Sequence, residues 1–183
     1  TIIALGPLTN VAKALQQYPV LTDRIKRIFV MGGAIEVKGN VNEYAEFNIN
    51  NDPLAANLVM SSGIPISLIG LDVCTKVYVT REDNHWISGK SKRAILAKRI
   101  LANWFNTHPD HPHYDLCDPL TIAVAIKPDL VDYMQANVTV ETNNTEQMGK
   151  TIATNGPGPI GVAITVDSQR SKTLIGELLS DPD

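Results

Sequence analysis

The chain has 183 residues, of which 44% are hydrophobic and 19% charged, so it can bury a sizeable core and a single domain over residues 1–183 is expected. A net charge of −3, a pI near 5.8 and the lack of any apolar run of membrane-spanning length argue against both nucleic acid and a membrane as partners. Two cysteines, Cys74 and Cys117, are too few for a disulfide framework and predict a reducing compartment, the cytoplasm by default.

The chain opens inside an apolar run, TIIALGPLTN, and has no initiator methionine. A protein rarely begins in the middle of a core strand, because such a strand end has nothing to pair with. We therefore expect that the natural protein has an N-terminal part before Thr1.

Strands and helices alternate through the first part of the chain. Short, almost continuously apolar runs predict strands, and capping residues before an apolar periodicity predict helices. The predicted elements are the strand Ile2–Leu5, the helix Val11–Gln17 capped by Thr9 or Asn10, the strand Ile25–Met31, the polar loop Val37–Asn51, the helix Leu54–Ser61 opened by Asp52-Pro53, and the strand Ile64–Leu71.

The second half carries more varied signals. Thr80 and Asp83 form a candidate capping box, and the two prolines of His108–Tyr114 exclude a helix there. The other predicted elements are Val77–Val79, either an extension of the third strand or a separate segment, the helix Ala94–Phe105, a helix from Asp118-Pro119 to about Ile126, the strands Val138–Glu141, Thr151–Ala153 and Ile160–Val166, and the helix Ser171–Leu179.

This alternation predicts an α/β fold with an open, mostly parallel (mixed), Rossmann-like sheet and helices on both faces. In such sheets ligands bind beyond the carboxyl ends of the strands. Three polar loops follow predicted strands at that position: Gly6–Asn10, Gly32–Asn48 and Asp72–Lys76.

The densest polar cluster lies in Phe29–Asn48, beyond the strand end at Gly32-Gly33. Amides and carboxylates offer hydrogen bonds in several directions, which suits a ligand with several hydroxyls, such as a sugar. A surface loop that tolerates any polar residue is the alternative. The cluster consists of Asn40, Asn42, Glu43, Glu46 and Asn48.

Two further segments have a functional and a structural interpretation. Three histidines and Asp110 in His108–His113, followed by Asp115, suggest zinc, but the spacing fits no common zinc pattern and the prolines favour a solvated or lid-like loop. The glycines of Asn155–Pro159 suggest a phosphate loop, but its two prolines lack the amide donors that such a loop needs, which favours a turn.

Three single residues also remain open to two interpretations. Asp118 at a helix start is either a cap or a ligand for a hard cation, which would need further oxygens. Asp72 is either a cleft carboxylate or a loop cap. Cys117 is either a small buried hydrophobe or a nucleophile, and the latter would need a paired base.

Seven short motifs occur in order along nearly the whole chain, and the series resembles the inosine-uridine-preferring nucleoside hydrolase family. That resemblance implies a nucleoside N-ribohydrolase with an open α/β fold and a bound calcium ion. The motifs are GPLTN (Gly6–Asn10), VMGGA (Val30–Ala34), GNV (Gly39–Val41), AEFN (Ala45–Asn48), NDPLAA (Asn51–Ala56), LDV (Leu71–Val73) and CDPLTIA (Cys117–Ala123).

The resemblance also implies a sugar site. Asn40, Glu46 and Asn48 would hydrogen-bond the ribose hydroxyls of a nucleoside, and Met31 and Phe47 would line the sugar pocket. Such contacts fix a sugar while positive charge develops on it as the glycosidic bond breaks.

The implied metal site is incomplete. Asp118 would bind Ca²⁺ through its carboxylate and Leu5 through its backbone carbonyl. Cys117 stands where much of the family has a histidine that is thought to protonate the leaving base, so Cys117 is a candidate for that role. The family's N-terminal DxDxxxDD motif, which supplies the other carboxylates and the general base, is absent, and so are the family's first strands.

The sequence therefore predicts the ribose-binding half of a calcium-assisted ribonucleoside hydrolase, with little or no activity of this chain alone. A truncated, inactive paralogue that serves as a binding or assembly module is the alternative, and an unrelated sugar-binding protein would require the seven motifs to be coincidence. An uncovered sheet edge would favour self-association, so a homo-oligomer is expected.

Overall fold

The structure is a computed structural model that describes residues 1–83 and 85–180. The strands and helices alternate as the apolar runs predict. In chain order they are β1 (Ile2–Ala4), α1 (Thr9–Gln17), α2 (Leu21–Arg24), β2 (Ile28–Met31), α3 (Phe47–Asn51), α4 (Pro53–Met60), β3 (Ile66–Ile69), α5 (Leu71–Cys74), β4 (Tyr78–Thr80), α6 (Lys92–Thr107), β5 (His113–Asp115), α7 (Cys117–Ile126), a 3-10 turn (Pro128–Leu130), β6 (Val131–Val140), β7 (Thr151–Asn155), β8 (Ile160–Val166) and α8 (Ser168–Leu179).

Six strands form one sheet in the order β1-β2-β3-β8-β6-β7. The first four strands of this order are parallel, whereas β6 is antiparallel to both of its neighbours, β8 and β7. The last strand of the sequence therefore lies in the middle of the sheet. The predicted α/β fold with an open, mostly parallel sheet is confirmed.

The sheet is covered by helices on both faces, as predicted. Successive side chains of a strand point to opposite faces. Ile28 and Val30 of β2 accordingly belong to a core cluster with α1 and α4. Phe29 and Met31 belong to a second cluster, with α5, α7 and α8.

Asp52 begins α4 as predicted, because its Oδ1 accepts a hydrogen bond from the backbone N–H of Ala55 at 3.1 Å. The predicted cap of α1 is wrong. The helix already includes Thr9, and Leu8 precedes it without a side-chain cap. The Thr9 hydroxyl donates instead to Oδ2 of Asp52 at 2.5 Å, and this bond is the main cause that lowers the pKa of Asp52.

Two helix starts in the second half also differ from the prediction. Asp118 does not cap α7, because the helix begins at Cys117 and Asp118 lies in its first turn. Asp83 accepts a hydrogen bond from the backbone N–H of Thr80 at 2.7 Å, but this closes a turn, since α6 begins later with Ser91 as its cap.

Three further differences concern β4, β6 and α3. Val77–Val79 does not extend the third strand, because β4 pairs with β5 in a separate antiparallel ribbon. Strand β6 begins at Val131, well before the predicted Val138, and its register shifts between Asp132 and Tyr133. The loop Val37–Asn51 ends in the short helix α3.

Among residues 1–83 and 85–180, no helix has both the length and the apolar character needed to cross a membrane.

Candidate functional site

The predicted site residues lie at the carboxyl end of the parallel strands. Leu5 follows β1, and the Gly32-Gly33 turn follows β2. The backbone N–H of Leu71, directly after β3, donates to the carbonyl of Gly33 at 2.9 Å and joins two of these strand ends. Helix α7, which begins with Cys117 and Asp118, packs against β1 and β2.

Glu46 is the centre of this region and is only 1% exposed. Its Oε1 accepts a hydrogen bond from the backbone N–H of Asn48 at 2.9 Å, and its Oε2 accepts from Ile49 at 3.1 Å. These bonds cap α3. Oε2 also accepts from the N–H of Gly33 at 3.1 Å, so one carboxylate ties the helix to the turn after β2.

Asn48 is buried beside Glu46 at the end of β2. Its Nδ2 lies 3.1 Å from the carbonyl oxygen of Met31, to which it donates, and 3.1 Å from the Met31 sulfur. None of the residues in 1–83 and 85–180 donates a hydrogen bond to Oδ1 of Asn48. That oxygen is an acceptor without a donor among the described residues.

Asn40 and Phe47 form the rim of the same region. Oδ1 of Asn40 accepts a hydrogen bond from the backbone N–H of Phe47 at 2.8 Å, while the Phe47 side chain is 56% exposed. The structure therefore brings Met31, Asn40, Glu46, Phe47 and Asn48 into one neighbourhood, with Met31, Glu46 and Asn48 buried and the other two outside.

The polar cluster is thus divided into two parts. Asn42 orders the loop by accepting from the N–H groups of Tyr44 and Ala45, and Glu43 pairs with Lys38 on the surface at 2.7 Å. A plain surface loop accounts for these two residues, but it does not account for the burial of Glu46 and Asn48.

The electrostatics of the site favour a cation. Burial raises the pKa of Glu46 against the opposing effect of its three backbone hydrogen bonds, and the charge of Asp118 raises it further. The Asp118 side chain reaches solvent, yet partial burial on its protein side raises its pKa as well. Among the described residues no cationic side chain is a cause of either pKa change, and two carboxylates of like charge share this edge of the sheet.

The Asp118 carboxylate and the Leu5 carbonyl are oxygen donors, the type that calcium prefers. Calcium takes about six to eight oxygens, however, and these residues offer two groups. Within the described parts of the chain, no group of three or more His, Cys, Asp or Glu side chains is placed to hold a metal ion. The residues present therefore fit part of a calcium shell and do not complete it.

The histidines of His108–His113 serve an aromatic cluster. His108 stacks on Trp104 with 4.6 Å between ring centres, and His111 meets the same indole edge-on at 5.4 Å. His113 lies in β5 and faces Asp115 at 3.3 Å. The zinc alternative gains no support from this arrangement.

Asp72 is a loop cap, which resolves the choice that the sequence left open. It is 8% exposed, and its two oxygens accept hydrogen bonds from the backbone N–H groups of Ile35 at 3.0 Å and Glu36 at 2.8 Å. It therefore holds the residues that follow Gly33, whereas Glu46 holds Gly33 itself. Sequence reasoning had only its position after a strand as a signal for this role.

A cavity of about 230 Å³ lies away from these residues, between β4 and α6, and its lining includes Trp86, Leu101 and Phe105. Both cations of its lining have partners. The Arg81 guanidinium lies 5.0 Å from the centre of the Phe105 ring and donates to the carbonyls of Phe105 and His108, and Lys98 donates to the carbonyl of Gly89. Among the described residues of its lining no polar side chain is buried, unlike in the strand-end region.

The chain is also similar in sequence to known proteins. Residues 1–173 match the family model described as inosine-uridine preferring nucleoside hydrolase. The chain is 37% identical over 191 residues to a pyrimidine-specific ribonucleoside hydrolase, RihA, of Citrobacter koseri, covering 98% of this chain and 61% of the relative. It is 32% identical over 197 residues to a probable uridine nucleosidase 1 of Oryza sativa subsp. japonica, covering 100% and 61%.

Solved structures give the same result. A plant nucleoside hydrolase, the PpNRh1 enzyme, superposes with a TM-score of 0.88 at 32% identity, covering 98% of this chain and 61% of that one. A purine-preferring ribonucleoside hydrolase from Gardnerella vaginalis superposes with a TM-score of 0.85 at 33% identity, covering 97% and 61%. The chain thus spans 61% of the length of each of these relatives.

Proposed function

Because the chain belongs to the inosine-uridine preferring nucleoside hydrolase family, we propose that the whole protein hydrolyses the N-glycosidic bond of ribonucleosides to give ribose and a free base. The observation that carries this proposal is the pair of buried polar side chains, Glu46 and Asn48, at the carboxyl end of β2. Relatives named for pyrimidines and for purines match to similar degrees, so the proposal covers ribonucleosides as a class.

The sugar is held by the residues at the end of β2. The free Oδ1 of Asn48 and the carboxylate of Glu46 accept hydrogen bonds from ribose hydroxyls, and Asn40 adds a polar contact at the rim. Met31 and Phe47 provide apolar surface against the ring. Since these groups are fixed by backbone hydrogen bonds, they orient the sugar without having to reorganise.

The carboxylates of Glu46 and Asp118 also have an electrostatic role. Breaking the glycosidic bond develops positive charge on the ribose ring, and negative groups placed beforehand stabilise that charge. The leaving base needs a proton, and we place Cys117, next to Asp118 at the start of α7, as the candidate donor.

We also propose that calcium binds at the Asp118 carboxylate and the Leu5 carbonyl. The remaining oxygens would come from water, the ribose hydroxyls or protein outside these 183 residues. When bound, the ion would hold sugar hydroxyls and lower the pKa of the attacking water. Titration of the chain with calcium by calorimetry tests the site, and Asp118→Asn should weaken any binding that is found.

Ribose release from inosine and from uridine, with calcium present, tests the activity. A protein of the relatives' full length that carries this chain should release ribose, and Asn48→Ala should reduce its kcat/KM about 10-fold or more, because losing a hydrogen bond to a substrate hydroxyl costs about 1.5 kcal/mol or more. Asn42→Ala is the matched control, since Asn42 only orders the loop. Equal effects of both substitutions would contradict the sugar site.

The second candidate function is a binding or assembly module without catalysis. The incomplete set of metal ligands in the described residues favours it for this chain alone. In that case ribose binds to the chain, and neither calcium nor a longer protein that carries the chain produces turnover. Ribose release by the purified 183 residues would exclude this second candidate.

We further propose a homo-oligomer in the cytoplasm. The edge position of β1 supports self-association, and the two free cysteines suit a reducing compartment.

A further inference from the structure

Helix α6 carries a concentration of positive charge. The whole chain has 16 Lys and Arg against 19 Asp and Glu, so its net charge of −3 gives no sign of an anionic partner. The charge is unevenly distributed, however, because no Asp or Glu occurs between Asp83 and Asp110. The cations that belong to α6 itself are Lys92, Arg93, Lys98 and Arg99.

These cations keep their charge within the part of the chain that the structure describes. No ion pair there involves a Lys or Arg of α6. Arg93 donates to the carbonyl of Ser180 and Lys98 to the carbonyl of Gly89, and bonds to carbonyls leave both charges in place. Lys92 and Arg99 are exposed. The helix therefore presents a positive surface.

Large apolar side chains lie beside these cations. Ile95, Leu96 and Ile100 are 46%, 58% and 55% exposed. An exposed apolar cluster that is rimmed by charged residues marks an interaction site more often than isolated apolar residues do. The positive and the apolar side chains thus belong to one surface of the helix.

We call this surface the outer face of α6, and it consists of Lys92, Ile95, Leu96, Arg99 and Ile100. At 3.6 residues per turn these residues occupy one arc of about 140° around the helix. Ala94 and Phe105, which are the buried residues of α6, lie on the opposite side. The helix is therefore anchored along one side and open along the other.

We propose that the outer face of α6 binds the anionic headgroups of a phospholipid surface, with its three aliphatic side chains at the boundary of the acyl chains. A helix that lies in this interface needs apolar side chains next to Lys and Arg, and α6 has both. Such a helix rests on the membrane and does not cross it. Nucleic acid fits this face less well, because its phosphates would meet the aliphatic side chains.

The proposal does not rest on the proposed function, since no residue of the sugar or metal site takes part. Flotation with lipid vesicles tests it, because vesicle-bound protein rises whereas a self-associated chain sinks. The chain should float at low salt with phosphatidylcholine vesicles that contain about 30% phosphatidylserine, and not with phosphatidylcholine alone. Salt at about 1 M should weaken the binding, because it screens the charges.

Arg99→Glu should reduce binding to the anionic vesicles about 10-fold or more, because one cation near such a surface contributes about fivefold. Lys26→Glu is the matched control, since Lys26 is exposed, lies outside α6 and changes the net charge equally. Leu96→Ser should reduce binding about fivefold through the lost apolar contact. Leu54→Ser is its control, because Leu54 is 71% exposed in α4.

Several outcomes would overturn the proposal. Equal flotation with neutral and anionic vesicles would contradict the role of charge, and equal losses in Arg99→Glu and Lys26→Glu would contradict the role of α6. Tighter binding to duplex DNA or to polyglutamate at the same salt would assign the face to nucleic acid or to an acidic protein. Flotation of these 183 residues but not of a protein of the relatives' full length would mean that other protein covers the face. None of these measurements detects ribose or calcium, so their failure is distinct from failure of the proposed function.

Discussion

Glu46 combines a structural role with a proposed role in ligand binding. Its carboxylate accepts hydrogen bonds from three backbone N–H groups, two at the start of α3 and one in the turn after β2. Burial disfavours its charge, as the raised pKa indicates. The same oxygens are the proposed acceptors for ribose hydroxyls, so the residue has to be tested separately for stability and for binding.

Glu46→Gln should destabilise the fold by about 1–3 kcal/mol, because the amide NH₂ of glutamine faces backbone N–H groups that then lack an acceptor. Urea denaturation measures the change. Glu43→Gln is the matched control, since Glu43 lies three positions away, is exposed and pairs with Lys38 at the surface. An unchanged denaturation midpoint in Glu46→Gln would contradict the structural role of this carboxylate.

The difference in stability between the wild type and Glu46→Gln should change with pH in a defined direction. The pKa of Glu46 is raised in the folded state above its ordinary value of 4.5. The contribution of the Glu46 carboxyl to the free energy of unfolding is therefore fully present below the pKa that it has in the unfolded chain. This contribution is lost as the pH rises through the pKa that it has in the folded protein. Without calcium, the stability difference between the wild type and E46Q should narrow over that window. A difference that stays constant or widens would contradict the shift.

At the scale of elements, hydrogen bonds from three other residues hold the turn after β2. Glu46 binds the N–H of Gly33, Leu71 donates to the carbonyl of Gly33, and Asp72 binds the N–H groups that follow. Gly33 itself has φ of +87°, a conformation that favours glycine. A Cβ at this position would lie 3.3 Å from Oγ1 of Thr151, which is buried.

Gly33→Ala should therefore cost more stability than Gly63→Ala. Both positions have positive φ, +87° and +77°, so both substitutions introduce backbone strain of about 1–2 kcal/mol. A Cβ at Gly63 meets nothing within 4 Å, whereas at Gly33 it meets Thr151. Urea denaturation of the two variants gives the difference. Equal losses would mean that Thr151 moves away at no cost.

The elements were predictable where local signals decide the structure. Apolar runs located β1, β2, β3 and β8, and Asp52 located α4. Helix α3 was not predicted, because its cap is Glu46, and glutamate is not among the residues preferred at this position. The ribbon of β4 and β5 depends on pairing between distant segments, and the register shift in β6 interrupts the period of two.

The proximity of the five candidate sugar-binding residues was predictable, but the hydrogen bonds that hold them were not. The density of polar side chains in Phe29–Asn48 and the family motifs both pointed to this part of the chain. The separation of buried Glu46 and Asn48 from exposed Asn42 and Glu43 depends on tertiary packing.

At the scale of the whole molecule, the two edges of the sheet differ. β1 forms one edge, and its central residue, Ile3, is 42% exposed. β7 forms the other edge and contains more polar residues, with the sequence TIATN. An apolar edge strand with unpaired backbone groups is a template for pairing with another chain, so self-association of these 183 residues is expected at β1.

Ile3→Lys should reduce this self-association, because a lysine beside an edge strand disfavours pairing. Light scattering over a range of protein concentrations measures the mass. Leu178→Lys in α8 is the matched control, since Leu178 is 41% exposed but lies away from the edge. A wild-type chain that stays monomeric at high concentration would contradict the expectation, as would equal effects of the two lysine substitutions.

The place of β8 in the sheet has a consequence for synthesis on the ribosome. β3 can pair with its second neighbour only after β8 has been synthesised, and β8 ends at Val166, near the end of these 183 residues. The hairpin of β6 and β7 is complete earlier but also lacks β8, so a nascent chain holds two unconnected halves of a sheet. Until β8 emerges, the backbone N–H and C=O groups of β3 remain unpaired on one side, which makes the growing chain a candidate substrate for chaperones.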